Sequence, residues 1–157
     1  DKGINNYRRS MYTYWKRSAP APAMTIFDVP SREKCVVGRP RTNTPLQALV
    51  TLNDPQYLEA ARALGHRIHG VSTDINKQIA YGYRITTGRK PDADTVALLV
   101  RYYQKELSRF NADPSAATDL LQIGEFKGDD SIPLEVQAAL TLLSNLLLNL
   151  DATITRG

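Results

Sequence analysis

The chain is poor in the residues that mark several familiar classes. It has one cysteine, Cys35, in 157 residues. No disulfide can close within it, so a disulfide-stapled fold is excluded and cysteine usage does not fix the compartment. Beside Val36 and Val37, a lone cysteine reads as a small buried hydrophobe rather than a nucleophile. There are two histidines, His66 and His69, and no third to complete a histidine metal site. No Cys-x-x-Cys-His stretch occurs, so this segment attaches no c-type haem, and no cofactor is expected in it. The nine glycines are scattered, and none builds a phosphate-cradling loop. The longest leucine-rich stretch, Leu140 to Leu150, is broken by Ser144, Asn145 and Asn149, so no helical membrane span is expected. No signal-peptide pattern opens the chain, and it starts at Asp1 rather than Met, which suggests a piece of a larger protein.

Leucine is absent from the first 45 positions, and all 18 leucines lie at or after Leu46. Of the four main core types, residues 1–41 hold only Ile4, Ile26, Phe27, Val29, Val36 and Val37. That is too little for an independent core. The same stretch carries nine Lys or Arg against three acids, a net of +6, while the remainder holds 11 basic and 13 acidic residues, a net of −2. The whole-chain charge of +4 therefore belongs to the arm. Tyr7, Tyr12, Tyr14, Trp15 and Phe27 are unusual for a disordered tail, which argues for an ordered arm packed on something else. Leu, Ile, Val and Phe together make 38 of the 157 residues, above the roughly 20% at which disorder becomes the default.

The pattern points to an all-α protein: a bundle of about five helices over residues 44–157, with an irregular basic arm over 1–43 in the same domain. Ser10–Trp15 alternates like one short strand. Thr44-Pro45 opens a short helix to about residue 52, and Asn53-Asp54-Pro55 interrupts it. Asp54 caps a helix whose apolar face is Leu58, Ala61, Leu64 and Ile68, ending at Gly70. Ile75, Ile79 and Tyr83 mark the next, stopped at Gly88. Asp92 caps the most regular one, with Val96, Leu99, Val100, Tyr103, Leu107 and Phe110 on one side. Its other face carries Arg101, Lys105 and Arg109, read as a solvated face. Asp113-Pro114 opens a short helix to about Ile123, stopped by Gly124. The last runs from about Pro133 to Leu150 and is apolar on nearly all sides, so it belongs in the core centre. Gln137, Thr141, Asn145 and Asn149 form its narrow polar stripe, which either bonds the backbone of the arm or faces water.

Local sequence marks no catalytic constellation. Asp129-Asp130 and Asp92 with Asp94 read as turn and cap chemistry. The densest polar cluster is RPRTNTPLQAL, residues 39–49. Arg39 and Arg41 offer planar forks for carboxylate, phosphate or sulfate, and Asn43 lies just before a helix start. Alternatively, these arginines serve carbonyls and carboxylates where the arm docks. A second cluster joins Arg8, Arg9 and Trp15, and basic plus aromatic groups suit a glycan or single-stranded nucleic acid. The candidate ligand-binding residues are thus Arg8, Arg9, Trp15, Arg39, Arg41 and Asn43.

Five stretches carry a family resemblance: RRSMYTYW (8–15), FDVPSRE (27–33), RPRTNTPLQALVTLNDPQYLEAARAL (39–64), AYGYRITTGRKPDADTV (80–96) and LLNLDATITR (147–156). Together they resemble the C-terminal domain of unknown function in planctomycete-type cytochrome-c-like proteins. The resemblance implies a C-terminal part of a large, exported, extracytoplasmic protein, periplasmic or at the cell surface, with the upstream domains as partners. It supplies no catalytic residues, and any redox role would belong to the parent protein. The expected function is a non-catalytic structural or interaction segment packing on those domains. The alternatives are binding of an acidic or sulfated polysaccharide through the basic arm, or of nucleic acid.

Overall fold

Proline placement sets where half of the helices begin. In the computed structural model, which describes residues 3, 12, 14–16, 18–31, 33–38, 42–129 and 131–155, Pro22, Pro45, Pro55 and Pro114 each occupy the first helical position. A proline there loses no hydrogen bond, and its fixed φ already suits the helix. The described residues form eight helices and no strand. They are α1 (Pro22–Ile26), α2 (Pro45–Asn53), α3 (Pro55–His69), α4 (Ile75–Thr87), α5 (Ala93–Ala112), α6 (Pro114–Gln122), α7 (Leu134–Leu148) and α8 (Asp151–Ile154). The fold is therefore all-α. Two short helices go beyond the sequence reading: α1 lies in the stretch read as loop, and α8 follows a break at Asn149. The proposed strand does not form at Tyr12, Tyr14 or Trp15, and Ser10, Met11 and Thr13 lie outside the described residues.

The chain divides into two compact units, Asp1–Val50 and Thr51–Gly157. In the second, aspartates do the capping. Asp54, Asp74, Asp92 and Asp113 accept from the backbone N–H of Gln56, Asn76, Thr95 and Ala116. Gly88 takes the left-handed conformation at the end of α4, φ 77°. Gly70 ends α3 in the right-handed region instead, φ −68°.

Helix α7 packs against α3, α4, α5 and α6. Its Leu140, Leu143 and Leu147 are fully buried with Ile68, Ile79 and Phe110. Two glycines let α3 approach its neighbours closely. A Cβ added at Gly65 would lie 3.2 Å from the backbone C and O of Leu140. One added at Gly82 would lie 2.6 Å from Cδ1 of Ile68.

The polar stripe of α7 is buried, so it does not face water; Gln137, Thr141 and Asn145 are all below 8% exposure. Its described partners are not the arm either. Gln137 Nε2 donates to the carbonyls of Asp129 and Ile132, both at 2.8 Å. Thr141 donates back to its own helix at Gln137. Asn145 Nδ2 donates to the Thr51 carbonyl at 3.2 Å, and Asn149 Oδ1 accepts from the Thr51 hydroxyl at 2.7 Å. A helix apolar on nearly every side has no wet face, so its amides serve the nearest chain ends and loops.

Candidate functional site

In the first unit, the end of α1 and the residues that open α2 interlock. Helix α1 ends in a Schellman turn: Val29 N–H donates to the Met24 carbonyl and Asp28 N–H to that of Thr25. The residue at the left-handed position is Asp28, φ 55°, where glycine is usual. Its carboxylate accepts from the hydroxyl of Thr42. Thr44 and Gln47 form a capping box on α2: Gln47 N–H donates to Thr44 Oγ1 at 3.3 Å, and Thr44 N–H to Gln47 Oε1 at 3.0 Å. The Gln47 amide nitrogen then donates to the Ile26 carbonyl and to Thr42 Oγ1, both at 2.9 Å. Gln47 is 1% exposed and uses both ends of its amide, so one side chain ties the end of α1 to the start of α2.

Of the residues singled out from sequence, Arg8, Arg9, Arg39 and Arg41 lie outside the described residues. Trp15 is half-buried and Asn43 is exposed between the two bonded threonines. Cys35 is exposed, contrary to the reading as a buried hydrophobe, and Val36 and Val37 are exposed with it. Burial needs a core, and Gln47 is the one buried residue among those described in this unit.

A second polar centre, unread in the sequence, sits in the second unit. Glu59 and Arg62 are one turn apart on α3 and both buried, at 5% and 2%. They hold the loop between α6 and α7. Arg62 donates to the carbonyls of Phe126 and Ile123, and a Glu59 carboxylate oxygen accepts from the N–H groups of Glu125 and Phe126. Gly124 is required there: its φ is 86°, and a Cβ would collide with Glu59. His66, one turn on, meets Gln137 Oε1 at 3.1 Å and the Phe126 ring edge-on at 5.6 Å. The only outward sign of this centre was an acid and an arginine at i, i+3 in an otherwise amphipathic helix. The polar contacts described for Glu59, Arg62, His66 and Gln137 all go to the loop or to one another. Asp129 at the loop's edge has its carboxyl pulled below the usual range, first by hydrogen bonding from the Ser131 side chain, then from its N–H, and further by the charge of His66 and His69. No group of three His, Cys, Asp or Glu among the described residues has the geometry to hold a metal ion.

The third feature is an open groove of about 430 Å³ between α4 and the start of α5. Ala80, Tyr81, Pro91 and Val96 give it apolar walls, and Lys77, Arg84 and Lys90 stand along it. All three cations are exposed. Its carboxylate, Asp92, is engaged in capping α5, and hydrogen bonding from Thr95, by its side chain first and then its N–H, holds the carboxyl below the usual range.

A family match covers the first unit, α3 and α4, and the start of α5. Residues 1–103 match PSD1: Protein of unknown function (DUF1553). The chain belongs to that family. No curated protein and no solved structure matches it significantly. No described helix is long and apolar enough to cross a membrane.

Proposed function

We propose that this chain is a non-catalytic packing module of a larger exported protein, docking on domains upstream of it. The observation that carries the reading is the apolar side of α2. Leu46, Leu49 and Leu52 succeed one another every three residues and are 53%, 57% and 43% exposed. Three leucines on a nine-residue helix make a contiguous apolar patch, and such patches mark interaction surfaces. Val36, Val37, Tyr12 and Tyr14, in the unit that holds Leu46 and Leu49, are exposed as well. The buried polar groups described above hold loops and caps in place, which suits a scaffold better than an active site. The resemblance to planctomycete-type cytochrome-c-like proteins suggests the partner: the upstream domains of an extracytoplasmic parent, where any redox chemistry would reside.

The test is hydrogen exchange on α2 in the parent protein and in the isolated chain. Docking predicts that amides of residues 46–53 exchange at least about tenfold more slowly in the parent, since tenfold corresponds to about 1.4 kcal/mol of added protection. Leu49→Glu should abolish that difference. Equal exchange in both proteins rejects the reading.

A further inference from the structure

We infer that the groove between α4 and α5 binds a segment of acidic polysaccharide, at residues distinct from the basic arm. The helical repeat builds one wall. Lys77, Tyr81 and Arg84 stand at i, i+4 and i+7, hence on one face of α4, and the outer two are about 10.5 Å apart along the axis. Lys90 and Pro91 form the opposite wall, where the chain enters α5. The groove's volume of about 430 Å³ lies within the roughly 300–1,000 Å³ typical of ligand clefts.

Charge selects the occupant. Among the described residues, none of Lys77, Arg84 and Lys90 forms an ion pair; the pair seen is Arg109 with Glu106, elsewhere on α5. The nearby acids are already engaged. Asp92 accepts from Thr95 N–H, and Asp74, in the field of Lys77, accepts from Asn76. The capping carboxylates keep their charge, but three cations against Asp92 leave the groove lining net positive, which favours an anion. A fourth cation, Arg67, stands behind: its Nε donates to the Tyr81 hydroxyl at 3.0 Å, and its guanidinium is 6.0 Å from the ring centroid. Tethered at its hydroxyl, the Tyr81 ring is a fixed flat surface. With Pro91 and Val96 it offers a shallow apolar bed.

A sugar ring has an apolar C–H face to lay on that bed, and carboxylate or sulfate groups to meet Lys77, Arg84 and Lys90. Nucleic acid fits less well. It needs a longer basic track and a series of aromatic platforms. Here one ring lies in a segment, residues 42–157, whose net charge is −2.

The experiment is calorimetric titration of the full chain with five probes: hexasaccharides of polygalacturonic acid, of a sulfated galactan and of neutral dextran, then poly-glutamate and an oligo-dT strand. An acidic hexasaccharide should bind and dextran should not. Arg84→Ala and Lys90→Ala should each weaken binding about tenfold, the worth of one charge-assisted hydrogen bond. Tyr81→Ala should weaken it further, whereas Tyr81→Phe retains the ring and most of the affinity. Circular dichroism confirms that each variant is folded. The inference is overturned if neither acidic hexasaccharide binds, or if poly-glutamate or oligo-dT binds as tightly. It is also overturned if the Arg84→Ala/Lys90→Ala double variant binds like wild type. Loss of binding on Arg39→Ala/Arg41→Ala alone would assign the ligand to the arm and reject the groove.

Discussion

Asp28 occupies a backbone position that favours glycine, and its side chain explains why glycine is not there. The left-handed conformation costs a non-glycine residue of order 1 kcal/mol. A hydrogen bond to a charged group returns about 1.5–3 kcal/mol. The carboxylate–Thr42 bond therefore outweighs the strain. Asp28→Asn keeps both an acceptor and tolerance of the conformation, so it should be the mildest change. Asp28→Gly relieves strain but loses the bond. Asp28→Ala loses the bond and keeps the strain, and should cost about 2 kcal/mol, the largest of the three. Hydrogen exchange of residues 22–29 and 42–47 measures the order, and Asp28→Gly as the most stable variant would contradict it. Gln47→Glu separates the two ends of that amide. The capping acceptor survives, but the donations to Ile26 and Thr42 are lost, so exchange should quicken at α1 more than at α2. Ser144 provides the opposite case. It is fully buried in α7, and its hydroxyl has no hydrogen-bond partner among the described residues. Ser144→Ala should be neutral or stabilising by up to about 2 kcal/mol in urea unfolding, because a desolvated, unpaired hydroxyl is removed.

At the scale of elements, the two glycine crossings should respond differently to the same methyl group. At Gly82 the obstacle is the end of a side chain, Cδ1 of Ile68. Overpacking costs about 1–3 kcal/mol, against a gain of about 1 kcal/mol from alanine's helix propensity. Gly82→Ala should therefore destabilise modestly. In an Ile68→Val background, which deletes Cδ1 and leaves only contacts of 3.1 and 3.2 Å to Ile68 Cγ1 and Leu147 Cδ1, the same change should cost clearly less. At Gly65 the obstacle is the Leu140 backbone, which cannot be trimmed. Gly65→Ala should cost more, and no side-chain shortening on α7 should rescue it. Thermal unfolding of the four variants tests both claims. The longer helices were legible: Asp-Pro and Thr-Pro pairs announce the starts of α2, α3 and α6, and the apolar spacing of α5 survives in the structure at Leu99, Tyr103 and Phe110, whereas α1 and α8 were not read. What could not be read is where helices come closest. A glycine inside a helical pattern does not say which neighbour presses on it. Nor does a polar stripe name its partner, which is how Asn145 came to serve Thr51 and Gln137 the loop before α7.

Across the whole molecule, pH response follows from the caps and the buried phenols. Asp74, Asp92, Asp113 and Asp129 have their carboxyls lowered, first by hydrogen bonds from Asn76, Thr95, Ser115 and Ser131 respectively. A lowered carboxyl adds stability above its unfolded value, near 3.9, and loses it as pH falls through the folded value. Burial raises the phenols of Tyr57, Tyr102 and Tyr103. A raised phenol adds stability below about pH 10 and loses it as pH climbs through the folded value. From these groups, stability should be level between about pH 5 and 9 and fall on both sides. Asp92→Asn should flatten the acid limb, as followed by urea midpoints against pH. The candidate site was only partly legible at this scale. Charge counting led to the arm, because the arm holds the net positive charge. The cations of the α4–α5 groove are hidden in a segment of net −2, and only the fold gathers Lys77, Arg84 and Lys90 around Tyr81.

The grip of Arg62 and Glu59 on the loop before α7 bears on how the chain meets proteases. Lys127 is exposed and lies one residue from Phe126, whose N–H and carbonyl are both held from α3. A protease must draw several residues into an extended strand before it can cut, so trypsin at Lys127 has to wait for α3 to let go. Nicking there becomes a clock for the opening of the bundle, and Glu59→Gln, which weakens the grip without emptying the site, should make that clock run fast.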